Sequence, residues 1–377
     1  MRVVIAIDSF KGSLSSLEAG RAVKEAVRAL DAEADVVVKP LADGGEGTVG
    51  AFVGSPAAEV VSVCVHGPLM EKISAEYCIL RDTDTAVIEM AAASGITLVS
   101  DADRNPLYTT TYGVGELIRD AVGRGCRRFI IGIGGSATND GGTGMLSALG
   151  FEFIDGDGAP IPLGAVGLER LCSIKTDKVM PELCDCTFRI ACDVKNPLCG
   201  EYGCSRVFGP QKGATPDMTE RMDAWLGRYA DIARSVSDRA DPDCEGAGAA
   251  GGLGFAFVAF TNATLSPGID IVLDEIKLED DIKHADIVVT GEGRLDSQSV
   301  MGKAPVGVAR LAKKYGKKVI AFCGCATEDA EVCNEHGIDA FFPILRAVTT
   351  LEQALDTDNA YGNLKRTAYQ VFRLLMR

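Results

Sequence analysis

Three charged, glycine-bearing segments hold the side chains best suited to chemistry. Gly291-Glu292-Gly293-Arg294-Leu295-Asp296-Ser297-Gln298 sets an arginine between carboxylates directly behind a β-branched apolar run. Turn geometry accounts for glycines and acids in such a place, but poorly for the arginine. Its guanidinium fork suits bidentate capture of a carboxylate or phosphate, and Asp296 could orient or take a proton. Asp8, Ser9 and Lys11 follow the first apolar run of the chain, and Asp43, Gly44, Gly45, Glu46 and Gly47 follow the second. Asp8 could instead cap a helix, although Ser15 or Ser16 is better placed for that.

The second segment is Gly134-Gly135-Ser136-Ala137-Thr138-Asn139-Asp140-Gly141-Gly142, behind the strand-like Arg128–Ile133. Successive glycines free backbone N–H groups to cradle an anion, and a helix opening near Asp140 would add its positive end. Gly132-x-Gly134-x-x-Ala137 also meets the relaxed dinucleotide fingerprint, but the residues after Ala137 delay the helix. No GxxxxGK[ST] occurs, so phosphate cradling without a P-loop is preferred over nicotinamide binding. In the third segment a strand ends at Asp193, and Asn196-Pro197 forces a turn behind it. Asp193 could hold Mg²⁺, accept a hydroxyl proton, or only organise that turn.

The elements that must position these groups alternate. Val3–Ile7 and Asp35–Lys39 read as strands buried on both faces, and Asp286–Thr290, Val319–Cys323 and Ala340–Ile344 as three further strands. Helices are expected over Leu17–Leu30, Val306–Tyr315, Asp329–His336 and Gly362–Leu375, with another near Thr48–Val53. Strand–helix alternation at both ends implies one doubly wound parallel α/β domain, and ligands then gather beyond the carboxyl ends of its strands. The middle differs. Glu59–Val65, Ile73–Leu80 and Thr85–Met90 favour antiparallel pairing, and helix Gly113–Gly123 with strand Thr187–Cys192 makes the insertion a mixed α/β domain. Gly246–Gly254 reads as a close-packed helix start. The division falls at residues 1–56 plus 283–377, around 57–282.

Composition bounds the partners. The 377 residues are 47% apolar and 24% charged, and the formal net charge is −15. Nucleic acid and anionic membranes are poor partners for such a surface. The apolar run at the N-terminus is too short for a signal peptide, and no stretch is long enough to span a bilayer. Thirteen scattered cysteines with no CxxC, and three histidines, point to reduced cytoplasmic thiols and away from structural zinc.

IDSFKGSLSS (Ile7–Ser16), PLADGGEGT (Pro40–Thr48), IEMAAASG (Ile88–Gly95), IGIGGSATNDGGTGML (Ile131–Leu146), FGPQKGA (Phe208–Ala214) and VTGEGRLDSQ (Val289–Gln298) together resemble the type-1 glycerate kinase family. The resemblance covers essentially the whole chain. It implies a flavodoxin-like domain interrupted by a second α/β domain. It also implies ATP-dependent phosphorylation of D-glycerate, with 2-phosphoglycerate favoured over 3-phosphoglycerate and Mg²⁺ arriving with the nucleotide.

On that footing Gly134, Gly135, Ser136 and Asn139 would meet ATP, as would Asp43, Gly44 and Gly45, with Lys11 helping at the phosphates. Arg294 would hold the glycerate carboxylate beside Asp8, Ser9 and Glu292. Asp296, or failing it Asp193, would deprotonate the attacking hydroxyl. An NAD-dependent hydroxy-acid oxidoreductase and a non-catalytic glycerate- or nucleotide-binding regulator are the rival readings. A homo-oligomer is compatible with the sequence.

Overall fold

Val3, Val4 and Ile5 are fully buried because a parallel strand lies on each side of them. The structure, a computed structural model, describes residues 1–41, 49 and 57–376. The expected turn at Asp43, Gly44 and Gly45 and the helix near Thr48–Val53 therefore lie outside the described residues.

Strand Arg2–Ile5 pairs with Asp35–Val38 on one side and Ile287–Leu295 on the other, and Lys318–Ala326 and Ala340–Pro343 complete an all-parallel sheet. Numbered along the chain, the strands lie in the order 2-1-3-4-5. This is the flavodoxin-like order, and its switch point falls between Arg2–Ile5 and Ile287–Leu295. Val3, Ile5, Val289, Ile320 and Phe322 meet helices Ser16–Arg28 and Thr357–Leu375. Their neighbours Val4, Val288, Val319 and Ala321 are equally buried on the other face, where helix Ala304–Lys313 packs. Helix Ser16–Arg28 starts sharply because Ser15 and Glu18 form a reciprocal capping box.

This unit comprises residues 1–43 and 268–377, and the second unit spans 44–267. The sequence reading begins the returning segment at 283. Helices Gly268–Glu275 and Leu278–Lys283 belong with it as well, since both pack against helix Ala304–Lys313.

The second unit is built on a sheet in the order Ala263–Ser266, Thr187–Ala191, Arg128–Gly132, Thr85–Glu89, Lys72–Leu80, Ala58–His66. The first four of these run parallel, and the last two form an antiparallel hairpin on the edge. Phe129 stacks on Phe188 with centroids 4.7 Å apart, inside a core that also takes Leu253, Phe255 and Phe257. No helix among the described residues is long and apolar enough to cross a membrane.

Three local expectations change. Strand Ile287–Leu295 runs on through Gly291-Glu292-Gly293-Arg294, where a loop was expected, because Lys318–Ala326 continues to pair with it: Glu292 sits opposite Cys323 and Arg294 opposite Cys325. The helix expected at Asp140 begins at Thr143 and lasts only to Ala148, since Gly141 and Gly142 take positive φ. Helix Ala249–Phe260 contains left-handed residues at Ala250, Gly251 and Gly252, so its regular part starts later than its glycine-rich opening.

Candidate functional site

The terminal unit carries a pocket of about 460 Å³ beyond the carboxyl ends of its strands, at the switch point. Asp8, Ser9 and Lys11 line it from the first strand's loop, Glu292, Arg294, Asp296 and Gln298 from the third, and Cys325 from the fourth. The extended backbone explains why acid and arginine share it: residues two apart project to one side, so Glu292 and Arg294 point together while Leu295 is buried in the sheet. Gly291 lets the strands approach, because a Cβ there would lie 2.0 Å from the carbonyl oxygen of Phe322.

Hydrogen bonds fix the acids differently. Asp8 accepts the N–H of Ser9 at 2.7 Å, and its own N–H donates to Gly291 at 2.9 Å. Asp296 caps the short turn Ser297–Val300: its Oδ1 accepts the Gln298 N–H at 3.0 Å. Its Oδ2 lies 3.3 Å from Arg294 Nε, and Lys303 Nζ is 3.6 Å from its Oδ1. Glu292 accepts the Ser299 hydroxyl on Oε1 at 2.5 Å, and Lys303 Nζ stands 3.6 Å from its Oε2. Burial pushes the Glu292 carboxyl above the usual range, and the Ser299 hydroxyl and Lys303 partly pull it back.

The inserted unit carries a separate pocket of about 360 Å³, lined by Gly134, Gly135, Ser136, Asp193, Gln211 and Lys212 among others. Gly135 adopts φ +71°, which turns the backbone into a concave loop. Among the described residues, the N–H groups of Gly134, Gly135 and Ser136 have no hydrogen-bond acceptor, although Ile96 donates to the Gly135 carbonyl at 2.8 Å. Lys212 reaches this loop from Pro210–Lys212, its Nζ donating to Ser136 Oγ at 2.7 Å and to the Thr138 carbonyl at 2.6 Å. Lys212 is 2% exposed and makes no ion pair among the described residues. Burial pulls its ammonium down to about 8, with Asp140 and the Cys204 thiol as the nearby titrating groups.

The sequence-derived residues thus fall into two groups. Asp8, Ser9, Lys11, Glu292, Arg294 and Asp296 share the terminal-unit pocket, and Gly134, Gly135, Ser136 and Asp193 share the other. Asn139 lines neither. It is buried, and its amide donates to Ser205 Oγ at 2.8 Å. The dinucleotide fingerprint lacks the helix that should follow Ala137, and a helix as short as Thr143–Ala148 adds no anion site. Sequence reasoning left Lys212 and Ser299 out of the site; it noted Lys303 a little beyond Asp296 at the same sheet edge but gave it no role. Lys212 lies inside the motif Phe208-Gly209-Pro210-Gln211-Lys212-Gly213, where a lysine enclosed by glycines and proline was the available signal. No cluster of three metal-ligating side chains exists among the described residues.

The chain matches the model of the glycerate kinase family over residues 3–376. It is 48% identical to a glycerate kinase of Haemophilus influenzae over 375 residues, 100% of this chain and 99% of that protein. Against the glycerate 2-kinase of Escherichia coli K12 it is 47% identical over 371 residues, 98% and 97% of the two chains. A crystal structure from Salmonella typhimurium LT2, assigned as a glycerate kinase 2, superposes with a TM-score of 0.92 at 48% identity, covering 100% of this chain and 98% of that one. A whole-length family match, close relatives and a shared fold agree: the chain belongs to the glycerate kinase family.

Proposed function

We propose that this protein transfers the γ-phosphoryl group of ATP to D-glycerate, forming 2-phosphoglycerate. The observation that carries the nucleotide half of the reading is Lys212, a buried ammonium without a carboxylate partner among the described residues, set against unpaired N–H groups of Gly134, Gly135 and Ser136. A buried cation left uncompensated is costly, and a phosphate oxygen supplies both the missing charge and acceptors for the loop. Asp193 on the same pocket would be the carboxylate to hold a Mg²⁺ arriving with the nucleotide, which would supply further charge neutralisation at the phosphates.

In the terminal unit, Arg294 grips the glycerate carboxylate, and Asp8 and Ser9 hold its hydroxyls. Lys11 neutralises the phosphoryl group that the product gains in that pocket. The 2-position is favoured because the Escherichia coli relative, 47% identical over 371 residues, is a glycerate 2-kinase. Phosphoryl transfer asks a protein mainly for placement and charge neutralisation, and the cationic and N–H groups of each pocket support the second of these.

Incubation with ATP, Mg²⁺ and D-glycerate, followed by phosphorus NMR, tests the reading. ADP and a 2-phosphoglycerate resonance are expected. A 3-phosphoglycerate resonance alone overturns the regiochemistry, and no ADP formation overturns the reaction.

A further inference from the structure

We propose that Glu292, rather than Asp296, takes the proton of the hydroxyl that is phosphorylated, and that Ser299 is its positioning residue. This rests on the reaction proposed above and assigns a role within it. The hydrogen-bonding capacity of Asp296 is committed elsewhere. It caps the Ser297–Val300 turn through the Gln298 N–H, it lies 3.3 Å from Arg294 Nε, and Lys303 stands 3.6 Å away. A carboxylate so engaged holds the loop and the arginine in place.

Glu292 is placed otherwise. It projects from a paired strand rather than a loop, it lines the pocket, and among the described residues Ser299 is its close hydrogen-bond donor, on Oε1. Oε2 remains for substrate, with Lys303 3.6 Å away to offset charge. Ser299 also accepts the Asp296 N–H at 3.2 Å, so one hydroxyl ties the turn to the strand and fixes the Glu292 rotamer. Burial holds this carboxyl above its ordinary range, nearer the working pH, where a general base is most effective. The charged and titrating groups around it are Lys303, Asp296, Cys323 and Cys333, with Asp8, Lys11, Arg294 and Cys325 on the same pocket.

The step balances simply. The glycerate hydroxyl oxygen forms the new O–P bond, the bond from phosphorus to the ADP oxygen breaks with its electron pair leaving on ADP, and the hydroxyl proton passes to Oε2 of Glu292. ADP and water reclaim that proton when product leaves.

The experiment is the pH profile of kcat, with KM for D-glycerate, for the wild type, E292Q, S299A and D296N. E292Q is expected to lower kcat by about 10²–10⁴ while KM for D-glycerate changes by only a few-fold. S299A removes a donor to the carboxylate, so the acid limb of its profile should move up by about 0.5–1 pH unit with turnover retained. D296N should lose less kcat than E292Q and keep the acid limb of the wild type. Should E292Q fail to fold, the S299A profile decides alone. Wild-type turnover with E292Q equally active, or an S299A limb that stays in place, overturns the assignment to Glu292. A wild-type protein that makes no phosphoglycerate overturns the reaction itself and this role with it.

Discussion

Lys212 Nζ donates to Ser136 Oγ at 2.7 Å across a separation of 76 residues, in a pocket wall where it makes no ion pair among the described residues. The pair joins the glycine loop to a lysine that the core would not otherwise tolerate. Replacing Lys212 by methionine keeps the length of the side chain and removes the charge. KM for ATP should rise by about 10–100-fold, while the ligand-free protein should melt no lower than the wild type, because a desolvated cation has been lost. Kinetics with differential scanning calorimetry of the same preparation checks both halves.

A second expectation concerns protons. Lys212 titrates near 8 in the ligand-free fold, below its ordinary 10.5. An anion beside it raises that value, so nucleotide binding at pH 8 should take up about half a proton, and affinity should fall as pH rises through this region. Titration calorimetry in buffers of different ionisation enthalpy measures the uptake, which should vanish in K212M. Ligand-free stability runs the other way. Above pH 8 the unfolded chain binds more protons at this lysine than the fold does, so its contribution to stability improves with pH up to about 10.5.

The glycines of the chain are not alike. Gly291→Ala would drive a methyl group to 2.0 Å from the Phe322 carbonyl oxygen, forcing apart the two strands that present Glu292 and Arg294. A loss of about 1–3 kcal/mol, together with reduced turnover, is expected from urea unfolding and assay. Gly362, inside helix Thr357–Leu375, has open space where its Cβ would be, and Gly362→Ala should stabilise by about 0.5–1 kcal/mol.

Thiol chemistry offers a direct probe of the terminal-unit pocket, the site proposed for glycerate. Burial pushes Cys323 up to about 12 and Cys333 up to about 11, so both should stay inert to maleimide in the native protein. Cys325 is exposed on the pocket wall opposite Arg294 and should react. D-Glycerate should slow its labelling, as peptide mass spectrometry would show; labelling at an unchanged rate would place the hydroxy-acid elsewhere.

Much of the fold was written in short-range pattern. Val3-Val4-Ile5 and Val319-Ile320 announce buried parallel strands because burial on both faces leaves no polar alternation to confuse them, whereas Val36-Val37-Val38 forms a half-buried edge strand of the same sheet. The helix cap was legible only as a choice between Ser15 and Ser16, and the structure shows Ser15 in a capping box with Glu18. Strand Ile287–Leu295 was cut short in the reading because Gly291 and Gly293 usually end strands, and only the neighbour Lys318–Ala326 shows why they do not here. Lys212 escaped for a related reason. A lysine in a loop is by default solvated, and what buries it is a segment far away in the chain. Nothing in the local sequence singles out Ser299, because its bond to Glu292 requires the turn to fold back on the strand.

Strand Arg2–Ile5 lies inside its sheet, between Asp35–Val38 and Ile287–Leu295. During synthesis its partner on one side is therefore absent until most of the chain has left the ribosome. The unit at 44–267 is continuous in sequence and can close while translation proceeds, so the order of folding runs from the middle outward. Until residue 287 emerges, the first two strands present an unpaired apolar edge, the kind of surface that chaperones hold. A chain halted before Ile287 should thus be prone to aggregate through its first residues, although those residues are among the most deeply buried when the protein is complete.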